Sequence, residues 1–123
     1  METSRKRLGD LGEELAGSYL ESLGHSILER NWRSSHLEVD IISAAADGIH
    51  FVEVKSRVAP LSAVPQANVT AAKQRRLSVA ALGYLNTRHL GDAEVFFDII
   101  TVVFDGGRAD INYCKQAFIP TYL

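Results

Sequence analysis

The sequence lacks the features that mark secreted and membrane proteins. It has one cysteine, Cys114, in 123 residues, which excludes an internal disulfide framework and favours a reducing compartment. No stretch approaches the roughly 20 apolar residues that a membrane span needs. The basic start, METSRKR, runs into LGDLGEELAG rather than into the apolar segment of a signal peptide. These absences predict a soluble, cytoplasmic protein that makes no membrane contact.

The chain also has a small net charge and few prolines. The formal net charge is only −2, which excludes a protein that coats nucleic acid by bulk electrostatics but allows a local basic patch. Two of the three prolines, Pro60 and Pro65, fall in APLSAVPQAN, residues 59–68, the one loop-like biased segment. With 46 % apolar residues, the chain fits one domain, residues 1–123, built around one core.

Apolar residues at spacings of three and four predict two amphipathic helices. The first runs from about Ser4 to Leu23 and ends at Gly24. The second runs from about Thr70 to Leu85, with Asn68 or Thr70 as its N-cap. Their apolar positions are Leu8, Leu11, Leu15, Tyr19 and Leu23 in the first helix, and Leu77, Ala80, Ala81, Tyr84 and Leu85 in the second.

Five runs rich in branched and aromatic residues predict strands: SILERNW, HLEVDIIS, IHFVEVKSRV, EVFFDIITVVF and ADINYCKQAF. The resulting order is α-β-β-β-α-β-β. A helical crossover of this length should place the strand near residue 97 parallel to a strand of the preceding meander. We therefore expect an α/β fold with a mixed central sheet flanked by helices.

Strand alternation places charged residues on the face of a hairpin. Glu38 and Asp40 should share one face, opposite Leu37, Val39 and Ile41, while Glu53 and Lys55 should share a face of the next strand. If these strands pair, the four ionisable groups cluster. A surface ion pair on an ordinary strand explains Glu53 and Lys55 equally well, because the spacing alone arises by chance.

Clustered carboxylates repel one another unless a cation compensates them. Mg²⁺ prefers a few carboxylate oxygens plus waters, which Asp40 and Glu53 would supply as ligands. Lys55 would orient or deprotonate the attacking water, or stabilise charge in the transition state. This chemistry is metal-assisted hydrolysis, most naturally of a phosphodiester.

Two further carboxylates have an open role at this point. Glu13 falls at the edge of the apolar arc of the first helix, so it either turns toward the sheet or reaches solvent, whereas Glu14 lies on the polar face. Asp98, within VFFDII, is either a buried structural carboxylate or an outer partner of the site. The histidines show no spacing typical of a zinc site.

Positive charge is concentrated in the middle of the chain. No Asp or Glu occurs between Glu53 and Asp92, a stretch that carries six cationic residues. This arrangement suits a polyanion laid beside the acidic cluster, although a solvated helix face is enough to explain Arg75. Lys73 lies on the helix face that should pack on the sheet. The predicted nucleic-acid-binding residues are Arg57, Lys73, Arg75 and Arg76.

The ordered set GEELAGSYLESLGHSILERNWR, LEVDII, FVEVKSR, VTAAKQRRLSVAALGYL and FFDII resembles a bacterial family of small predicted endonucleases that is distantly similar to archaeal Holliday junction resolvases. The resemblance implies the restriction-endonuclease-like PD-(D/E)xK fold, with Asp40, Glu53 and Lys55 on the signature positions. It also implies that Glu13 contributes to the metal site and that Lys73 is the recurrent lysine of the second helix. Leu37 stands where the family usually has glycine.

Three functions compete at this stage. The first is a Mg²⁺-dependent endonuclease, with Mn²⁺ as a substitute, that cleaves DNA of branched or otherwise structured form and works as a homodimer through the apolar AFIPTYL terminus. The second is a nucleic-acid-binding or assembly module that keeps the fold with little or no catalysis. The third is a protein-interaction domain with no nucleic-acid partner.

Overall fold

A computed structural model describes residues 2–61 and 69–119, with side chains from residue 5 onward. It confirms the order α-β-β-β-α-β-β and the mixed sheet. The helices are α1 (Glu2–Ser22) and α2 (Ala71–Thr87). The strands are β1 (Ser26–Ser34), β2 (Leu37–Ala45), β3 (Gly48–Val58), β4 (Val95–Asp105) and β5 (Arg108–Phe118). Asn68, Pro65 and residues 120–123 of AFIPTYL lie outside the described residues.

The five strands lie in the sheet in chain order, β1 to β5. All neighbours are antiparallel except β3 and β4, which pair in parallel over ten residue positions because α2 carries the chain back across the sheet. Phe97 is level with Phe51, so the parallel strand predicted near residue 97 is confirmed. Thr70 caps α2, since its Oγ1 accepts a hydrogen bond of 3.2 Å from the Lys73 N–H.

One helix covers each face of the sheet. On the α2 face, Val39, Phe51 and Phe97 pack against Leu77 and other residues of α2. The lone tryptophan, Trp32 of β1, lies on this side with its ring edge-on to Tyr84 at a centroid distance of 5.3 Å. On the α1 face, Ala16 and Leu20 pack against a set made up of Ile41, Val52, Ile100 and Val102. None of the described helices is long and apolar enough to cross a membrane.

The contact face of α1 differs from the predicted leucine stripe. Leu11 and Leu23 are 44 % and 50 % exposed, whereas Ala16 and Leu20 are fully buried. The face is built from small residues because α1 lies very close to β3 at Gly12. A Cβ added there would be only 1.9 Å from the Ser56 Oγ. The sequence pattern located the helix correctly but shifted its buried face.

The predicted alternation of β2 breaks at Asp40. Val39 packs in the α2 core, while Ile41, two residues on, packs in the α1 core, so the two do not share a face. The facing segment of β1 is irregular too, because Asn31 has a φ of +52°. The irregularity reorients the strand at the residue that the sequence singled out as a metal ligand.

Candidate active site

The ladder between β2 and β3 ends halfway along both strands. It runs from Ala45 opposite Gly48 to Ile41 opposite Val52, and the earlier residues of β2 have no partner in β3. We call the opening between residues 37–40 and 53–58 the cleft. Asp40 lies at its closed end, where its Oδ2 accepts a hydrogen bond of 2.8 Å from the Val54 N–H. A side chain thus replaces the backbone partner that the ladder no longer supplies.

Negative charge converges on Asp40. The pKa of this carboxyl is raised from its ordinary 3.8 to about 6, and burial is the largest cause, against the opposing effect of the Val54 hydrogen bond. The nearby carboxylates of Glu13, Glu53 and Glu38 contribute to this rise, in that order. The predicted cluster of acids therefore exists, and it is electrostatically unfavourable for its central member.

Glu53 lies on the α2 side of the cleft. Its side chain is 15 % exposed and forms an ion pair with the ammonium group of Lys73, which extends from the first turn of α2. Glu53 and Asp40 also line one small pocket. The expectation that Lys73 faces the sheet is therefore met, and its partner is the predicted metal ligand Glu53.

Lys55 follows Glu53 by two residues on the same strand. It is half-buried and level with Thr101 of β4. Since side chains alternate along a strand, Lys55 and Glu53 project from the same face. Lys55 thus also borders the cleft.

Glu13 reaches the cluster from the α1 side. It is half-buried and hydrogen-bonded to the Asn31 side chain, whereas Glu14 is exposed. Burial raises the pKa of Glu13, the Asn31 hydrogen bond opposes this, and Asp10 adds to the rise. Glu13, Asn31 and Asp40 line a common groove. Of the two readings open for Glu13, the structure supports the one that turns it toward the sheet.

The predicted nucleic-acid-binding residues do not form one surface. Lys73 and Arg76 line a groove on the α2 side with His36 and Glu38. Arg75 is exposed on α2 and does not line this groove. Arg57 lines a different groove, on the α1 side. Arg57 is thus separated from the cations of α2, although simple strand alternation would place it on the same face as Glu53 and Lys55.

The donor set agrees in kind with a hard divalent cation. Asp40 and Glu53 offer carboxylate oxygens, the ligands that Mg²⁺ prefers, and this ion commonly takes one or two carboxylates with waters in its other positions. In the described part of the chain, however, no three Asp, Glu, His or Cys side chains converge closely enough to hold a metal by themselves. The cation would therefore need waters or a substrate oxygen to complete its coordination.

A second polar cluster, which sequence reasoning missed, lies on the α1 side near the opposite end of β3. Asp98 accepts hydrogen bonds from the Tyr113 hydroxyl at 2.5 Å and from the Gln116 N–H at 2.9 Å, and its Oδ2 lies 2.6 Å from His50 Nδ1. The other ring nitrogen of His50 is 2.8 Å from the Asp47 carboxylate. Asp98 is therefore the structural carboxylate of the two roles left open. The sequence signal that could have indicated this cluster is the presence of an acid, Asp98, and a histidine, His50, in two strands made mostly of apolar residues.

Three relatives are similar to the chain over nearly their whole length. A UPF0102 protein of Clostridium perfringens is 40 % identical over 120 residues, which cover 96 % of this chain and 98 % of the relative. Those of Geobacter metallireducens and Bacteroides thetaiotaomicron are 41 % and 42 % identical, covering 99 % and 92 % of this chain and 100 % and 93 % of the relatives.

Among solved structures, Pyrococcus furiosus SfsA in complex with Ca²⁺ is similar at a TM-score of 0.41 and 17 % identity. The match covers 91 % of this chain and 64 % of the SfsA chain. This likeness is too distant to inform function. The profile described as "Uncharacterised protein family UPF0102" matches residues 12–102. The chain therefore belongs to the UPF0102 family, and its fold is restriction-endonuclease-like.

Proposed function

We propose that this protein is a Mg²⁺-dependent endonuclease that hydrolyses phosphodiester bonds in DNA. The observation that carries the proposal is the half-buried Asp40 at the end of the cleft, where an acid with a raised pKa is close to further carboxylates. Such an arrangement costs folding stability, and perturbed groups of this kind concentrate at functional sites. A bound cation would remove the repulsion that the fold leaves in place.

Each residue has a distinct role in this proposal. Asp40 and Glu53 would hold the metal, which would supply Lewis-acid activation of water and neutralise developing charge on the phosphate. Lys55 would position the attacking water or stabilise the oxyanion of the scissile phosphate. Glu13, on the α1 side, is hydrogen-bonded to the Asn31 side chain and would support the metal site.

Lys73 would compete with a bound metal for Glu53. The ammonium group already neutralises this carboxylate in the structure. A divalent cation held by Glu53 would take over that role, and Lys73 would then be available to pair with a phosphate. Substrate binding and metal binding would then assist each other.

The test is cleavage by the purified protein with Mg²⁺ or Mn²⁺ on linear, flapped and four-way DNA. We expect metal-dependent cleavage, with a preference for branched DNA, that falls by about 100-fold or more in Asp40→Asn and in Lys55→Ala. Asp110→Asn and Lys6→Ala remove the same groups at exposed ion pairs elsewhere and should leave cleavage unchanged. Cleavage that survives both site variants would contradict the proposal.

A second candidate is a nucleic-acid-binding or assembly module without hydrolysis. It is favoured by the Lys73–Glu53 ion pair and by the lack of a preformed three-ligand group in the described residues. In that case DNA binding should weaken in Arg75→Ala or Arg76→Ala, should be indifferent to Asp40→Asn, and no metal should produce cleavage. The two candidates therefore differ in how they respond to Asp40.

We further propose that two copies act together, one on each strand of a branched DNA. The apolar AFIPTYL terminus would supply the contact. Sedimentation at micromolar concentration should give the mass of a dimer, and a monomeric mass in the presence of DNA would contradict this part of the proposal.

A further inference from the structure

A second basic groove opens on the α1 side of the sheet. Its walls are Arg5 of α1 and Arg57 at the end of β3, and Gly9 and Ser56 lie between them. We call it the α1 groove. Its inner end is Glu13, which also lines the adjoining groove that contains Asp40. The α1 groove therefore leads from the outer surface to the candidate active site.

The two arginines of the α1 groove, like Arg75 and Arg76 of α2, have no acidic partner among the described residues. Both side chains are exposed, and among the described residues neither forms an ion pair; Arg57 donates only to the adjacent backbone carbonyl of Ser56. Lys6, Arg33 and Arg88, by contrast, are paired with Asp10, Glu38 and Glu29. The guanidinium groups of the α1 groove thus remain available for an external anion.

The floor of the α1 groove at Gly9 has no side chain, so a ligand backbone can approach the helix closely. At Gly9 a Cβ would meet nothing within 4 Å, so the glycine leaves the groove open without being needed for helix packing. Three positions further along the chain, α1 does touch β3 at Gly12 and Ser56. The helix and strand therefore close the groove at its inner end, beside Glu13, and diverge toward Arg5.

Resting on the proposed function, we propose that the α1 groove binds the phosphodiester backbone of a single nucleic-acid strand. Arg5 and Arg57 contact successive phosphates and lead the strand to Asp40. The groove with Lys73 and Arg76 lies on the opposite face of the sheet, and both grooves reach the cleft. A flexible unpaired strand can bend from one face to the other over the end of the cleft, whereas a duplex is stiff over this distance and would contact only one of the two grooves. The preferred substrate is therefore DNA with an unpaired strand at a flap or branch.

The test separates binding from cleavage by using the Asp40→Asn protein throughout. Binding of an unpaired oligonucleotide and of a blunt duplex of the same length is measured over a range of salt concentrations, with Arg5→Gln and Arg57→Gln added singly and together. Lys6→Gln is the matched control because it removes a charge from the same helix outside the α1 groove.

We expect each arginine substitution to weaken binding of the unpaired strand about fivefold in 0.1 M salt and to reduce the salt slope by about 0.7, the value for one phosphate contact on a single strand. The double variant should lose about 25-fold, Lys6→Gln less than twofold, and duplex binding should change little. Arg76→Gln should add its own loss on the unpaired strand.

Three results would overturn the inference. One is a loss in the double variant no larger than that in Lys6→Gln. Another is an equal loss on the blunt duplex, which would place a duplex in the groove. The third is binding of anionic lipid vesicles but of neither oligonucleotide. None of these bears on whether the wild type cleaves DNA, so the nuclease proposal stands or falls separately.

Discussion

Asp40 and Asp98 each lie at the centre of a polar cluster, but the two carboxylates differ in how far their surroundings stabilise the negative charge. Around Asp98, His50, Tyr113 and the Gln116 N–H use the acceptor capacity, and Asp47 and Lys115 extend the network to the surface. Around Asp40, one backbone N–H faces three more carboxylates. The first cluster satisfies its central carboxylate within the protein, whereas in the second Lys73 neutralises Glu53 but the pKa of Asp40 stays raised. That difference favours a structural role for the Asp98 cluster and agrees with the binding role proposed for the Asp40 cluster.

The largest effect should come from removing the centre of the Asp98 cluster. Asp98→Ala removes the partner of the buried His50 and of two less buried donors, the Tyr113 hydroxyl and the Gln116 N–H, so we expect a loss of about 3–5 kcal/mol in the free energy of unfolding, measured with urea. Asp98→Asn keeps the shape and one acceptor, and should lose less. An unchanged urea midpoint in Asp98→Ala would show that this network does not stabilise the fold.

The same type of change at the Asp40 cluster should have the opposite sign. Because the pKa of Asp40 is raised from 3.8 to about 6, the folded state binds its proton more tightly than the unfolded state, and stability falls as pH rises from about 4 to 6. At pH 8, Asp40→Asn should therefore increase the free energy of unfolding by up to about 3 kcal/mol. The exposed Asp110→Asn should change it little. A destabilised Asp40→Asn would mean that the charge is already compensated.

A third substitution tests how the helix is held against the cleft. Gly12→Ala forces a Cβ against the Ser56 Oγ, and we expect a loss of about 1–3 kcal/mol in thermal or urea unfolding. Gly9→Ala is the matched control: the site is open, and alanine favours the helix by up to about 1 kcal/mol. If both variants shift stability in the same direction, close packing at Gly12 does not fix α1.

Metal binding should complete the Asp40 cluster and leave the Asp98 cluster unaffected. At a Mg²⁺ concentration ten times its Kd, we expect about 1.4 kcal/mol of stabilisation, read as a rise in Tm at pH 7.5. The rise should shrink below pH 6, where Asp40 is protonated, and vanish in Asp40→Asn. An equal rise in Asp40→Asn would locate the metal elsewhere.

The smallest change should come from titrating the Asp98 cluster. Burial lowers the pKa of His50, but the hydrogen bonds and charges of Asp98 and Asp47 outweigh it, so the net pKa is raised. Stability from protonated His50 is then fully present below the unfolded pKa of about 6.5 and is lost as pH rises through the folded value. Asp47→Asn should move this loss to lower pH in a Tm profile. A profile that Asp47→Asn leaves unchanged would exclude His50 as its source.

Much of the fold could be predicted from the periodicity of apolar residues in the sequence, because residues such as Phe97 and Leu77 belong to long elements with a strong pattern. The order of elements and the parallel partner of the strand near residue 97 were predicted and are confirmed, and Thr70, one of two predicted N-cap candidates, caps α2. The buried face of α1 was not, since the pattern weighted leucines whereas close packing against Ser56 selects glycine and alanine.

The candidate site could be predicted from the sequence only in part. The sequence prediction placed Asp40 near Glu53 by assuming strict alternation of side chains along each strand. In the structure the two residues do lie close together, but the alternation of β2 is broken where that strand separates from β3. Such a break depends on tertiary packing and cannot be read from a two-residue period. The His50–Asp98 contact joins residues 48 positions apart and has no local signature. The metal, the substrate and the nuclease activity remain predictions.

The edge-on contact between Trp32 and Tyr84 makes the protein its own optical probe. Trp32 is the one tryptophan in the chain, it lies opposite Val39, next to Asp40, and it touches the helix that carries Lys73. Any movement of the β1–β2 hairpin relative to α2 changes the surroundings of this indole. Tryptophan fluorescence, excited selectively over the four tyrosines, can therefore follow opening of the cleft in the unlabelled wild-type protein through a single indole.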